Sequence, residues 1–258
     1  NIKKIVSSNS LIGKKKIKYL YKKIIIAGLF NVSSIKAAEL SKILENSQRF
    51  VNIALVNQIS TLCNRMNIQT KEVIDAAASK WNFMKFYPGL VGGHCVAVDP
   101  LYLSYIQKNL GLSSSLISAA HKINDGKVNE IVNTVLKYEN RGLNKIKILI
   151  LGATFKENCP DFRNSGTLKI IKQLNKYKII PDLHDPYITK KNKIFFEYKF
   201  NQILKLKQSK YNIILVGVGH DMYIKLGVNK IKKLSIKKDC KIVDLKSIFP
   251  KNRVSYQL

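Results

Sequence analysis

Four short and almost wholly apolar runs in the second half of the chain constrain its fold more than any other feature. They cover residues 147–152, 179–184, 211–218 and 241–245, and stretches with helical spacing of apolar residues lie between them. Strands that are apolar on both faces and alternate with helices are typical of βαβ units, in which helices cover both sides of a parallel sheet. We therefore predict a Rossmann-like parallel-sheet domain over residues 141–258.

The first half of the chain has the spacing of long helices instead. Apolar residues recur every three, four or seven positions over residues 34–66, and a second helical pattern covers residues 114–137. At 1.5 Å per residue the first helix would be roughly 45–50 Å long, which is enough to link two domains or to form the core of a dimer. The fold class is therefore α/β, with a central helical dimerisation domain over residues 31–140. Residues 1–30 are expected to be a linker or the remnant of another domain.

The formal net charge of +29 suggests nucleic-acid binding, but the distribution of the basic residues argues against it. Only five of the 45 basic residues are arginine, the better bidentate ligand for phosphate and guanine. The lysines are spread along the chain, and isoleucine and asparagine are abundant with them, as AT-rich codons would produce. We expect no nucleic-acid partner.

The cysteines and the apolar runs exclude further classes. No cysteine belongs to a CxxC pair or to a metal-ligand spacing, so no metal is expected and a reducing compartment is indicated. The densest early apolar run, residues 24–30, is far too short to cross a bilayer. A cytoplasmic protein without a membrane partner is the expectation.

Polar residues of unusual type follow the predicted strands. They are Phe155-Lys156, His184-Asp185-Pro186, Gly219-His220 and Asp244-Leu245-Lys246. Ligands of open parallel sheets bind beyond the carboxyl ends of the strands. The first of these turns has Gly152 but no GxGxxG, so a mononucleotide or its sugar conjugate fits better than a dinucleotide. Ordinary loop residues of such a sheet remain the alternative.

Residues 80–100 form an irregular stretch rich in proline and glycine, with a cysteine at its centre. Three glycines precede Cys95, and Asp99 follows it by four residues. Glycines let the backbone approach a ligand closely, a cysteine after such a loop is placed like a nucleophile, and a carboxylate nearby could position water. A buried structural cysteine is the alternative interpretation.

On the first long helix, Lys42 and Asn46 are four residues apart. One turn therefore stacks an ammonium and an amide on the same face, where they could stabilise an oxyanion. A solvated helix face is the simpler interpretation of a lone lysine.

Four segments resemble one enzyme family in their order and spacing. They are residues 34–49, Lys80-Trp81-Asn82-Phe83, residues 88–100 with their GGHC, and residues 155–165 with their KENCPD. Together they are similar to the UDP-glucose/GDP-mannose dehydrogenase family, most of all to its UDP-N-acetylglucosamine or UDP-N-acetylgalactosamine 6-dehydrogenases of the Vi-antigen type. The resemblance implies oxidation of the sugar C6 alcohol to a carboxylate with two NAD⁺, through a cysteine thioester, for surface polysaccharide precursors.

The resemblance also implies roles for individual residues. Cys95 matches the nucleophile, Lys42 and Asn46 match the residues that stabilise the oxyanion and position water, and Asp99 matches an aspartate that assists proton transfer. The expected substrate contacts are Phe86, Tyr87, Pro88, Gly89, Leu90, Phe155, Lys156 and Lys246, with Lys80 contributed across a homodimer. Arg163 matches a residue that reaches the NAD cofactor.

The chain departs from the family pattern in two respects. The family's N-terminal Rossmann domain, with its GxGxxG turn, has no counterpart in this sequence, and His121-Lys122 stand where the family usually has arginines. We therefore expect a fragment of the enzyme that acts on a UDP-N-acetylhexosamine, with a separate NAD-binding half as a candidate partner. A non-catalytic UDP-sugar-binding remnant that still dimerises is the alternative.

Overall fold

The computed structural model describes residues 2–138, 142, 146–188 and 197–258. Its helices and strands, in chain order, are β1 (Lys4–Val6), α1 (Leu11–Lys22), β2 (Leu29–Asn31), α2 (Ile35–Arg65), α3 (Thr70–Ala77), α4 (Asp99–Asn109), α5 (Ser115–Lys137), β3 (Ile148–Leu151), α6 (Gly166–Lys176), β4 (Asp182–His184), β5 (Asn201–Gln202), β6 (Ile213–Val216), α7 (Asp221–Lys232), β7 (Lys241–Asp244) and β8 (Tyr256–Gln257). One turn of 3₁₀ helix covers Lys251–Arg253.

The first thirty residues, expected to be a linker or a remnant, contain regular structure. Strands β1 and β2 pair in parallel and α1 connects them, with Ser10 accepting a hydrogen bond from the backbone of Gly13 at the start of the helix. This unit is largely uncovered: Val6 of β1 is buried, but α1 has no buried residue, and Leu11 and Ile26 are among the most exposed apolar residues.

Helix α2 confirms the long helix expected from the periodicity of residues 34–66. Ser34 begins it by accepting a hydrogen bond from the Ala37 backbone at 3.1 Å, as an N-cap residue does. The helix packs against α3, α4 and α5. Helix α4 was not expected: Pro100 in its first turn suits helix initiation, and Asp99 complements the helix dipole there.

The second half folds as the parallel α/β domain that the apolar runs predict. Six parallel strands lie in the order β5-β4-β3-β6-β7-β8, with Leu151 opposite His184 on one side and Val216 on the other. The strand order reverses between β3 and β6, so their carboxyl ends leave a crevice of the kind that binds nucleotides. Strands β5 and β8 were not expected, because each has only two residues and little apolar character.

The main hydrophobic core joins the two halves of the molecule. It contains the buried faces of β3, β6 and α6, and also Val128, Ile131, Val132 and Val135 from α5. Helix α5 therefore packs on the sheet with its second half, while its first half packs on α2. Among the described helices, none is both long and apolar enough to cross a membrane.

Candidate active site

The crevice between β3 and β6 opens at two closely packed glycines. Gly152 has a φ of +87°, and a Cβ there would lie 2.6 Å from the Cβ of Val218. A Cβ on Gly217 would lie 2.5 Å from Thr167 Oγ1. Any side chain at either position would force the strand ends apart, so both glycines are required for this approach.

A buried histidine–aspartate pair anchors the turn after β3. The Nδ1 atom of His220 accepts a hydrogen bond from the Asn158 amide at 3.0 Å, so its Nε2 carries the proton and faces Asp185 Oδ2 at 3.2 Å. The same carboxylate oxygen accepts hydrogen bonds from the amides of Ala153 and Thr154. Burial alone would raise the pKa of Asp185, but hydrogen bonds from His220 and from backbone amides hold it below its ordinary value.

The anchored turn presents an aromatic ring and two charged side chains. The ammonium of Lys156 lies 5.3 Å from the centre of the Phe155 ring. Lys246, just after β7, forms an ion pair of 2.7 Å with Glu157. Burial opposes ionisation of Glu157, yet the hydrogen bond from Lys246 lowers its pKa. Two ammonium groups thus stand at the carboxyl ends of β3 and β7.

A cavity of about 280 Å³ lies where the helical half meets this edge of the sheet. Tyr87 and Pro88 line it from the predicted substrate loop, and Lys246 lines it from the α/β domain. Lys71 of α3 lines it too, although no motif in the sequence singles out that residue. A cavity walled by an aromatic ring and two lysines suits a planar base joined to phosphates.

The loop that holds Cys95 rests on the same turn. Gly93 packs so closely that a Cβ on it would lie 3.0 Å from the Phe155 ring, and its carbonyl accepts a hydrogen bond from Asn164 at 3.1 Å. The Cys95 carbonyl accepts hydrogen bonds from the amides of Val98 and Asp99, where α4 begins. Cys95 itself is exposed, which excludes the interpretation of it as a buried structural cysteine.

Arg163 is held beside this loop by a bidentate ion pair. Its Nε and Nη2 atoms bind the Asp161 carboxylate at 3.0 and 2.7 Å. This hydrogen bonding lowers the pKa of Asp161 to about 2 and raises that of Arg163, to which Cys159 and Cys95 add smaller contributions. The guanidinium therefore lies within electrostatic range of the Cys95 and Cys159 side chains.

Of the predicted catalytic residues, the structure joins Asn46 to Asp99. The Asn46 amide donates to Asp99 Oδ2 at 2.5 Å, and Asn46 is buried. Lys42, one turn earlier on α2, is exposed and forms its ion pair with Glu45 at 2.9 Å instead. Lys80 is exposed as well. None of the hydrogen bonds or ion pairs within the described residues joins Lys42 or Lys80 to Cys95 or Asp99.

Sequence reasoning missed several residues that shape the site. Asn57 holds the substrate loop, Lys71 lines the cavity, and Asp161 orients Arg163. Asn57 contacts Gly89, 32 residues later, and Asp161 contacts Arg163, two residues later. The periodicity of apolar residues gives no signal for such polar contacts. The described residues contain no cluster of three metal-binding side chains, and the expectation of no metal stays a prediction.

Comparison with protein-family models gives two matches. Residues 36–126 match the central domain of the UDP-glucose/GDP-mannose dehydrogenase family, and residues 149–251 match its UDP-binding domain. The two matched ranges together cover most of the described chain, and each contains one side of the site.

Individual relatives agree with these matches. The chain is 40% identical to a UDP-N-acetyl-D-glucosamine 6-dehydrogenase of Salmonella typhi and 37% identical to one of Pseudomonas aeruginosa, over 100% of its own length in both cases. It spans 61% of the length of each. Among solved structures, an NDP-N-acetyl-D-galactosaminuronic acid dehydrogenase from Methanosarcina mazei superimposes with a TM-score of 0.83 at 24% identity, covering 96% of this chain and 55% of that one, which supports the fold.

Proposed function

This chain belongs to the UDP-glucose/GDP-mannose dehydrogenase family, and from that premise we propose that it forms the substrate-binding part of an NAD-dependent UDP-N-acetylhexosamine 6-dehydrogenase. One observation carries the proposal: Tyr87 lines a cavity together with Lys71 and Lys246, and it belongs to the same irregular stretch of chain that exposes Cys95. This arrangement supports a nucleotide site and a nucleophile on one stretch of chain. The product would be a UDP-hexuronic acid for surface polysaccharides.

The chemistry of the cysteine follows from this placement. The Cys95 thiolate attacks the C6 aldehyde, a C–S bond forms, and the resulting alkoxide takes a proton to give a thiohemiacetal. Oxidation converts this adduct to a thioester, and water then adds to the carbonyl carbon while sulfur leaves as thiolate. The Asn46–Asp99 pair is suited to bind that water and to accept its proton, since an amide donor orients the carboxylate.

NAD⁺ would accept the hydride in both oxidation steps. Of the described residues, Arg163 fits a role towards it, because its guanidinium is exposed and is oriented beside Cys95 by Asp161. The turn after β3 has no GxGxxG, so a dinucleotide site would need residues from a further domain. We therefore propose that this chain alone binds substrate without reducing NAD⁺.

The remaining assignments stay proposals. Lys42 would have to leave its ion pair with Glu45 to stabilise an oxyanion. Lys80 would contact the substrate of the other copy in a homodimer. The domain limits of 31–140 and 141–258, with a further unit before them, are likewise proposed. A cytoplasmic location is proposed because thioester chemistry requires that Cys95 stay reduced.

Calorimetry tests the proposal on the chain itself. UDP-N-acetylglucosamine and UDP should bind with dissociation constants in the range of ~1 μM to 1 mM typical of enzyme substrates, and GDP-mannose should bind at least tenfold more weakly. In the same samples, UDP-N-acetylglucosamine should slow alkylation of Cys95 by iodoacetamide. Absence of UDP-sugar binding, or equal affinity for GDP-mannose, would contradict the proposal.

The second candidate is a non-catalytic UDP-sugar-binding protein, which the outward pairing of Lys42 with Glu45 favours. Sugar-nucleotide binding without any protection of Cys95 would select it. An absorbance assay for NADH, with the chain alone and with an NAD-binding domain of a relative added, separates the two further. If the chain is part of an enzyme, NADH should form once the NAD-binding domain is added. A non-catalytic binding protein should form none.

A further inference from the structure

Asn57 is buried in the middle of α2 and pairs with the backbone of the substrate loop. Its Nδ2 donates to the Gly89 carbonyl at 3.0 Å, and its Oδ1 accepts from the Gly89 amide at 2.9 Å. One side-chain amide thus satisfies both backbone polar groups of a single residue, as a neighbouring strand would. Such a reciprocal pair fixes the distance and the orientation of the loop at once.

A second amide fixes the first. Asn57 Nδ2 also donates to Asn124 Oδ1 of α5 at 3.0 Å, and Asn124 Nδ2 donates to the Phe50 carbonyl at 3.1 Å. Asn57 and Asn124 are 1% and 4% exposed, so unmade hydrogen bonds here would not be replaced by water. The hydrogen bonds to Gly89 and Asn124 all form in one orientation of the Asn57 amide, and a flipped amide would lose them.

The position of Asn57 on α2 links this pair to the reaction. It follows Asn46 by eleven residues, which is about three turns of helix and a rise of roughly 16 Å, so both side chains lie on nearly the same face. Asn46 binds Asp99, four residues after Cys95, and Asn57 binds Gly89, six residues before it. One rigid helix therefore holds both sides of the cysteine loop.

From this geometry we propose that Asn57, oriented by Asn124, is a positioning residue that sets the substrate loop of residues 86–90 and the Cys95 segment in register with the catalytic face of α2. The proposal rests on the proposed function for the identity of the ligand. The hydrogen bonds to Gly89 are independent of that identity. Asn57 touches no reacting atom and acts through the loop.

Three variants of the full chain test the proposal. Asn57→Ala removes the pair, Asn57→Asp keeps the shape but loses the donor, and Gln58→Glu places the same charge on the exposed neighbouring position as a control. Hydrogen exchange should become at least tenfold faster over residues 86–95 in Asn57→Ala. The amides of Ile131 and Val135 in the main core should keep their rates, and Gln58→Glu should resemble the natural chain.

Ligand binding and pH provide the readouts that a purely structural role would not change. Asn57→Ala should weaken UDP-N-acetylglucosamine binding about tenfold or more by calorimetry. Near pH 8, Asn57→Asp should bind UDP-N-acetylglucosamine as weakly as Asn57→Ala does. As the pH falls towards 5, its affinity should approach that of the natural chain, because a protonated carboxyl can again donate a hydrogen bond. The charged neighbours of this position are Lys127 and Glu130. The natural chain has both, so its affinity over the same pH range shows any effect of their titration.

The outcomes separate this proposal from the proposed function. If the natural chain binds no UDP-sugar, the proposed function fails, and loop-specific exchange still tests the positioning role. Unchanged hydrogen exchange over residues 86–95 in Asn57→Ala would overturn the positioning role. Equal acceleration throughout the core, or an Asn57→Asp variant without recovery at low pH, would also overturn it, since Asn57 would then serve stability alone.

Discussion

Cys95 combines an exposed thiol with a fixed backbone. Its carbonyl is bound by the first amides of α4, and the preceding Gly93 is packed on Phe155. The sulfur is therefore accessible while its position is set from both sides. The other cysteines differ: Cys63 and Cys240 are buried, and burial raises the pKa of Cys240. These surroundings are the reason that the covalent role is proposed for Cys95 and for no other cysteine.

We predict that Cys95 alone among the cysteines is required for turnover in the enzyme assembled with an NAD-binding domain. Thiolate leaves readily from an acyl group because the pKa of its conjugate acid is near 8.5. Cys95→Ser should leave an ester that hydrolyses slowly, so turnover should fall at least a hundredfold with acylated protein visible by intact mass. Cys63→Ala is the control and should retain activity. Near-normal turnover of Cys95→Ala would refute the covalent role.

The Asp161–Arg163 pair predicts a pH dependence of stability. The pKa of Asp161 is lowered from 3.8 to about 2, so the pair stabilises the fold fully above pH ~4 and loses this effect as the pH falls towards 2. Because Arg163 is largely exposed, solvent screening should keep this contribution small. Urea unfolding should show Asp161→Asn slightly less stable than the natural chain at pH 6, with a smaller difference at pH 3. A difference that grows towards pH 3 contradicts this assignment.

At the scale of elements, α5 is shared between two cores. Ala120 and Ile123 pack with Phe50 of α2 under the cysteine loop, whereas Ile131 and Val135 pack against the sheet. A half-buried ion pair lies between these regions, with the buried Lys127 bound to Glu130 at 2.9 Å and to Thr61 of α2 at 3.0 Å. Burial lowers the pKa of Lys127, although Glu130 opposes this effect. The two halves of the site therefore share one rigid helix.

The periodicity of the sequence predicted the larger elements and missed those that depend on distant contacts. Helices α2 and α5 and the four apolar strands follow local patterns of burial, and the structure confirms them. Strands β5 and β8 have two residues each and form only because β4 and β7 offer free edges. Lys42 pairs with Glu45, three residues later on the same helix, and this local spacing was not weighed against its predicted catalytic role, which stays a prediction.

A prediction at this scale concerns the turn after β3. His220→Ala should weaken UDP binding about fivefold or more, because the Asn158 amide and the buried Asp185 carboxylate each lose a hydrogen-bond partner. Tyr211→Phe is the control, since it removes a buried hydrogen bond to Asp182 just before the amino end of β6. It should lower the thermal midpoint without changing UDP affinity. Calorimetry checks both variants, and equal losses of affinity would contradict the anchoring role.

At the scale of the whole molecule, apolar residues along α2 remain uncovered. Leu40, Leu44, Leu55 and Leu62 are between 50% and 63% exposed, and Tyr102 and Tyr105 of α4 are exposed as well. Stripes of this kind on a soluble chain usually meet a partner, and a second copy is the commonest one. The role expected of Lys80 requires such a second copy.

We therefore predict a homodimer in light scattering at micromolar concentration. Leu44→Glu with Leu55→Glu should give a folded monomer, because two carboxylates would be buried without partners in the interface. Ile180→Glu introduces the same charge at an exposed apolar residue of the α/β domain and should leave the dimer intact. A natural chain that is monomeric and well folded at this concentration would contradict the prediction.

The uncovered β1–α1–β2 unit affects how this protein behaves in solution. Its outer faces mix apolar residues such as Leu11 and Ile12 with lysines, in a chain whose net charge is +29. Repulsion between copies opposes their adhesion only over the Debye length, which shrinks from about 10 Å at 0.1 M salt to about 3 Å at 1 M. Charge repulsion is thus what keeps copies of the protein from aggregating. Concentrated salt dissolves many basic proteins, but it should make this one precipitate.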